Sequence, residues 1–263
     1  MDFTEIIYSV DDGVATITLN RPQKLNAFSR QMGAETREAI LQVRDDPQVK
    51  VLVISGAGRA FSAGASVKDL LESRKYFDRW VKSEILPNII NISGIVMSMA
   101  KPVICSVNGP CVGAGMELAN VCDLRIASDR ARFGMVFARM GMLPAGGGLY
   151  TLPRILGMSK ALELVWTGKI IDAQEALRIG YVNQVVPHDE LASATHDLAL
   201  QLARGPTQAI GMMKNLAHRY LEMTFSEVVP VHEAACIEIG RSEDAMEGPK
   251  AFLEKREPIF KGK

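Results

Sequence analysis

Phe61-Ser62-Ala63-Gly64-Ala65-Ser66 and Gly109-Pro110-Cys111-Val112-Gly113-Ala114-Gly115-Met116-Glu117 are two glycine-punctuated turns. Each follows a short β-branched run, Val51-Leu52-Val53-Ile54-Ser55 and Pro102-Val103-Ile104-Cys105-Ser106-Val107. Brought to one place, two such turns supply two backbone N–H groups to a single carbonyl oxygen. That arrangement stabilises an oxyanion, often the largest electrostatic contribution in chemistry on activated acyl groups. The second turn also carries a carboxylate, Glu117, among Cys111, Val112, Met116, Leu118 and Ala119.

Outward from these turns the pattern alternates. Ile6 to Val10 and Val14 to Leu19 flank Asp11-Asp12-Gly13 and read as a hairpin. Asn20 to Asn26 is too polar and turn-rich for a core element. Residues 29–44 have helical composition and stop at Asp45-Asp46-Pro47. Val49 to Ser55 has the character of a buried strand. Helical material fills 67–98, and a helix starting near Gly113 puts Glu117 in its first turn. Asp123 to Ala127 and Val182 to Val186 read as strands, with helices expected around 148–156 and 159–166. Asp172-Ala173-Gln174-Glu175 has capping-box spacing. From 189 onward only helical patterns occur, broken at Gly205-Pro206 and Gly240, so an open α/β core with a helical C-terminal extension is expected.

Composition bounds the partners. The 263 residues are 48% hydrophobic and 23% charged, and Lys plus Arg equal Asp plus Glu at 30 each. Such a chain buries a sizeable core and carries no global bias toward nucleic acid or acidic membranes. Met1-Asp2-Phe3-Thr4-Glu5 lacks the basic region of a signal peptide, and Pro87, Asn88, Asn91 and Gly94 interrupt the most apolar stretch, 85–100. The four cysteines, 105, 111, 122 and 236, form no Cys-x-x-Cys pair, and the four histidines are dispersed. No metal site is expected, and reduced thiols fit a cytoplasmic setting.

Other motifs carry less. Gly56-Ala57-Gly58-Arg59-Ala60-Phe61 opens like a dinucleotide fingerprint but lacks its third glycine, and no Gly-Lys-Ser/Thr occurs. Ser62 and Ser66 lie in no Gly-x-Ser-x-Gly elbow and read as turn residues. Glu117 has two readings: an acid favoured by a helix dipole, or a carboxylate of raised pKa suited to proton transfer. Lys24 and the closing Lys261-Gly262-Lys263 are candidates for phosphate contacts. Phe137, Met135, Met140 and Met142 suggest an apolar, adaptable pocket.

Taken together, the ordered motifs resemble the crotonase, or enoyl-CoA hydratase/isomerase, superfamily. They are Asn20-Arg21-Pro22 with Lys24-Leu25-Asn26-Ala27-Phe28, Arg59 to Ala65, Lys101 to Ile104, Val107-Asn108-Gly109, Gly113 to Ala119 and Cys122-Asp123. Phe133-Gly134, Gly141 to Pro144, Leu152-Pro153-Arg154, Gly157 and Ala251 to Arg256 follow in order, so the resemblance covers essentially the whole chain. It implies a spiral of ββα units over 1–198 and a helical region over 199–263 that packs homotrimers or dimers of trimers. It implies an acyl-CoA thioester substrate, coenzyme A entering only as part of that substrate. Carried over, the oxyanion donors are the N–H groups of Ala65 and Ala114, the second commonly glycine in relatives. Lys24-Leu25 and Ala63, Ala65, Ser66, Val67 and Lys68 match segments that hold the adenine and phosphates, with Phe260 and Lys263 on the same ground.

Hydratases of this family use two glutamates. The first matches Glu117; at the position of the second stands Phe137, and Ala145 follows Pro144 where isomerases carry an acid. A phenyl ring neither polarises water nor moves a proton. Glu117 alone, moving a proton between the α and γ carbons of an enoyl-CoA, is the preferred expectation. The alternatives are a hydratase or dehydratase on a specialised substrate, an acyl-CoA decarboxylase, and a non-catalytic CoA- or RNA-binding scaffold.

Overall fold

The computed structural model describes residues 3–66 and 85–263. The helical reading of 67–84 lies outside the described residues. Strands β1 (Ile6–Asp11) and β2 (Val14–Leu19) pair antiparallel about Asp12 and Gly13, whose φ of 46° and 77° is the backbone of a twisted two-residue hairpin. Helix α1 (Arg30–Asp45) starts at Ser29, whose Oγ accepts the Met32 N–H at 3.0 Å. It buries Met32, Thr36, Ala39, Ile40 and Val43, one face at helical spacing.

Parallel strands β3 (Val51–Gly56), β4 (Val103–Val107), β6 (Leu124–Ser128) and β9 (Gln184–Val186) extend the hairpin into a sheet of order β1-β2-β3-β4-β6-β9. Their side chains alternate between two cores. Leu52 and Ile54 face α1 and α2 (Ile85–Ser98), whereas Val51, Val53, Ile104 and Ile126 face α7 (Leu191–Ala203). A second, three-stranded sheet joins β5 (Pro110–Val112), β7 (Arg132–Gly134) and β8 (Ile171–Asp172). These pieces of two or three residues have no readable periodicity, and sequence reasoning missed them. The last strand is likewise shorter than 182–186.

Helices α3 (Ala114–Val121), α4 (Gly148–Leu156), α5 (Met158–Thr167) and α6 (Ala173–Arg178) fall where expected, α6 with Asp172 accepting the Glu175 N–H. After α7 come α8 (Thr207–Tyr220), α9 (Phe225–Gly240) and α10 (Glu243–Glu254). Lys214 ties α8 to the core, pairing with Asp123 at 2.8 Å and donating to the Val96 and Lys101 carbonyls. Phe225 and Phe252 are each 83% exposed, leaving an apolar surface on the last helices. No helix of the described residues is long and apolar enough to cross a membrane.

Candidate active site

Two asparagines fasten the loops that carry the site. Asn26, fully buried, accepts the Arg21 N–H and donates to the carbonyls of Ala57 and Ala60 at 2.9 and 2.8 Å. Asn108 donates to the carbonyls of Gly56 and Gly58, both at 2.8 Å. A buried amide NH2 thus serves several loop carbonyls at once. Sequence reasoning missed both roles; their only signal is an asparagine set between apolar or small neighbours.

The two glycine turns run side by side. The Ser62 N–H donates to the Pro110 carbonyl and the Val112 N–H to the Ser62 carbonyl, each at 3.0 Å. On the other flank Ala63 donates to Leu25, Phe28 to Gly64 and Ser66 to Phe28, at 2.8, 2.8 and 2.9 Å. The Ser62 hydroxyl donates to the Asn26 carbonyl at 2.8 Å and accepts the Gly64 N–H at 3.2 Å, so it fastens the turn, as read. With these N–H groups engaged, that of Ala65 has no acceptor among the described residues. Nor has that of Ala114, at the start of α3, where a helix leaves its first N–H groups unpaired. Gly64 sits between them: at φ +93° its added Cβ would lie 3.0 Å from the Val112 carbonyl oxygen and 3.4 Å from the Ala114 nitrogen. Only glycine allows that approach and that backbone. Ala114 keeps an ordinary negative φ, so its methyl costs no backbone strain.

One helical turn on, Glu117 is 1% exposed. Its Oε1 accepts the N–H groups of Gly146 at 2.7 Å and Gly148 at 3.1 Å, and its Oε2 that of Ala145 at 3.3 Å. Burial pushes its carboxyl up to about 7, and the three N–H groups pull the other way without cancelling it. Such a group takes and returns a proton near neutrality. Gly148 leaves little room here: an added Cβ would lie 2.5 Å from Met135 Cε, the movable end of that side chain, and 3.1 Å from Glu117 Oε1. Phe137, buried on a 3-10 turn at Val136–Met140, brings its ring edge within 4.0 Å of where a Cβ on Gly113 would stand.

The remaining expected residues divide. Leu25 (φ 50°), Ala63 and Ser66 belong to the knitted loops, and Lys24 is exposed on the 3-10 turn at Pro22–Lys24 beside them. Val67 and Lys68 lie outside the described residues. Phe260 rests near Gly248, and the Lys263 carbonyl accepts the N–H groups of Glu243 and Asp244, so both are held at α10. Of the methionines, Met135 is buried beside Gly148, Met142 is partly buried, and Met140 is 42% exposed, which takes it out of a closed pocket.

The enoyl-CoA hydratase/isomerase family model matches residues 9–263. Carnitinyl-CoA dehydratase of Escherichia coli K12 is 37% identical over 257 residues, 95% of each chain. The 1,2-epoxyphenylacetyl-CoA isomerase of the same organism is 34% identical over 270 residues, 98% of each. The crystal structure of enoyl-CoA hydratase from Bacillus anthracis superposes with a TM-score of 0.92 at 30% identity, covering 99% of this chain and 100% of that one. The α/β core with its C-terminal helices is thus the crotonase fold, and this chain belongs to the enoyl-CoA hydratase/isomerase family of enzymes.

Proposed function

We propose that the protein is an enoyl-CoA isomerase in which Glu117 is the sole proton carrier. The carboxylate of Glu117 removes a proton from the α carbon of a β,γ-enoyl-CoA. The electron pair moves into the thioester carbonyl, and the resulting dienolate oxygen is held by the N–H groups of Ala65 and Ala114. The Glu117 carboxylic acid then returns the proton to the γ carbon, leaving the α,β-enoyl-CoA. The observation that carries this reading is the deep carboxyl with a pKa of about 7, one helical turn from an N–H that has no acceptor among the described residues.

Phe137 takes the place of a second acid in this reading and borders the acyl group. Lys24, Leu25, Ala63 and Ser66, with Val67 and Lys68, hold the adenine and phosphates, and Phe260 and Lys263 add to them. Coenzyme A is part of the substrate, and no further cofactor is involved. Residues 199–263, a boundary that falls inside α7, form the self-association region of a homotrimer or dimer of trimers. The exposed Phe225, Ile237, Phe252 and Leu253 support that role. The cytoplasm is the matching compartment for its free thiols, Cys105, Cys111, Cys122 and Cys236. Two relatives whose names specify a CoA thioester, one a dehydratase and one an isomerase, support the substrate class.

The test is a three-substrate assay with a β,γ-enoyl-CoA, crotonyl-CoA and a malonyl-type CoA. Isomerisation of the first is expected to be the fastest. Dominant hydration of crotonyl-CoA, or loss of carbon dioxide from the third, would replace the isomerase reading. Binding of all three without turnover would make the chain a scaffold.

A further inference from the structure

Ser93 lies in α2, buried, and its hydroxyl donates to the Gly146 carbonyl at 2.7 Å. A helical serine commonly turns back to the carbonyl four residues earlier, as Ser98 of the same helix does to Gly94 at 2.8 Å. Ser93 reaches across to the loop before α4. Its target is informative. The Glu117 carboxylate takes the N–H groups of Ala145, Gly146 and Gly148, which belong to the peptides 144–145, 145–146 and 147–148. The one peptide in this run that gives Glu117 nothing, 146–147, is the one whose carbonyl Ser93 holds. Gly147, at φ +89°, follows it, so the run has little intrinsic stiffness.

We propose that Ser93 is a positioning residue for Glu117: by fixing the 146–147 peptide it keeps the N–H groups on either side converged on the carboxylate. This rests on the reading of Glu117 as the proton carrier only for its effect on turnover, not for its effect on the carboxyl itself. No charged side chain competes for the role among the described residues of the packed elements. Residues 91–98 of α2 and the 145–148 turn have no titratable side chain. Arg139 on the Phe137 turn reaches the Thr167 carbonyl, and Tyr150 and Arg154 of α4 both bind Glu222. Cys111, on the strand before α3, is a buried neutral thiol whose pKa burial raises further.

The test is carbon-13 NMR titration of the full-length protein labelled in its glutamates, with the Glu117 signal assigned by its loss in Glu117→Gln. Ser93→Ala removes the donor and strands a buried carbonyl. The expected result is an upward shift of the Glu117 titration by about half a unit or more, because weakened N–H donation favours the neutral acid. The acid limb of the isomerisation pH profile moves with it. Ser93→Thr restores both, and Ser93→Cys, close in size but a weak donor, falls between and serves if the alanine variant does not fold. A Glu117 titration unmoved in a folded alanine or cysteine variant overturns the proposal. A titration that moves while turnover does not follow leaves Ser93 in place and removes Glu117 from the chemistry.

Discussion

Glu35 and Glu117 are both covered glutamates held by several donors, yet they fall on opposite sides of the ordinary carboxylate value. Glu35, on α1, sits shallowly under the N-terminal segment. It accepts the Thr4 N–H and hydroxyl, the Glu5 N–H and the Gln31 amide, all between 2.7 and 2.9 Å. Burial raises its pKa, but these donors outweigh burial and hold it below 4.5. Glu117 lies deep, with three backbone N–H groups of which only one is shorter than 3.0 Å, and burial wins. Glu35 is therefore a fastener that stays charged at neutral pH, whereas Glu117 is a carboxyl left able to change state there. The number and closeness of donors, set against depth, decide which glutamate a fold spends on structure.

Removing each carboxyl tests that contrast. Glu117→Gln is expected to lower isomerisation roughly 10²–10⁴-fold, the usual contribution of a positioned acid–base group, with acyl-CoA affinity nearly unchanged. Glu35→Gln should leave turnover within a few-fold of the parent, as measured by steady-state kinetics.

Stability should respond to pH in opposite directions. A folded pKa of about 7 against 4.5 unfolded means that Glu117 contributes stability below pH 4.5 that is lost as pH rises through 7. Relative to the parent, Glu117→Gln should gain about 3 kcal/mol between pH 4.5 and pH 8 in urea unfolding. Glu35, lowered in the fold, contributes stability above its unfolded value that is lost on acidification. Glu35→Gln should therefore cost about 1–3 kcal/mol at pH 7 and progressively less at lower pH.

Gly148→Ala sharpens the comparison from the side of geometry. Its methyl meets the movable end of Met135 and crowds Glu117 Oε1. A loss of about 1–3 kcal/mol in stability is expected, with the acid limb of the pH profile moved upward. The smallest effect is expected from Phe137→Glu, which puts an acid beside the site. About a tenfold rise in crotonyl-CoA hydration should follow, less than the roughly 10²–10⁴-fold of a positioned acid–base group because the introduced carboxyl has no donors to orient it. Unchanged hydration in a folded variant would show that the phenyl ring is not the limiting difference.

Local chemistry was legible before the structure. Asp12-Gly13 forecasts the hairpin, the composition of 29–44 ending at Asp45-Asp46-Pro47 helix α1, and Gly113 the helix that places Glu117. That the two glycine turns lie side by side was suggested by their shared pattern but not fixed by it, because parallel neighbours meet across long connections; which N–H groups to name came only from the resemblance. The short strands β5, β7 and β8 carry no periodicity of their own. Least legible was the environment of Glu117, since backbone N–H groups 28, 29 and 31 residues away leave no mark in residue identity. Ser93 was hidden for the same reason, its partner being a glycine carbonyl 53 residues on.

The most direct test of the account is exchange of the α protons of a saturated acyl-CoA in deuterium oxide, followed by proton NMR. In the proposed mechanism it needs only the enolate, the two proposed N–H donors and Glu117, whichever overall reaction the enzyme completes. The parent protein should exchange the α protons, with a rate rising through a pH of about 7 as Glu117 ionises, and Glu117→Gln should not exchange them. Exchange at the parent rate in a folded Glu117→Gln protein would contradict the account.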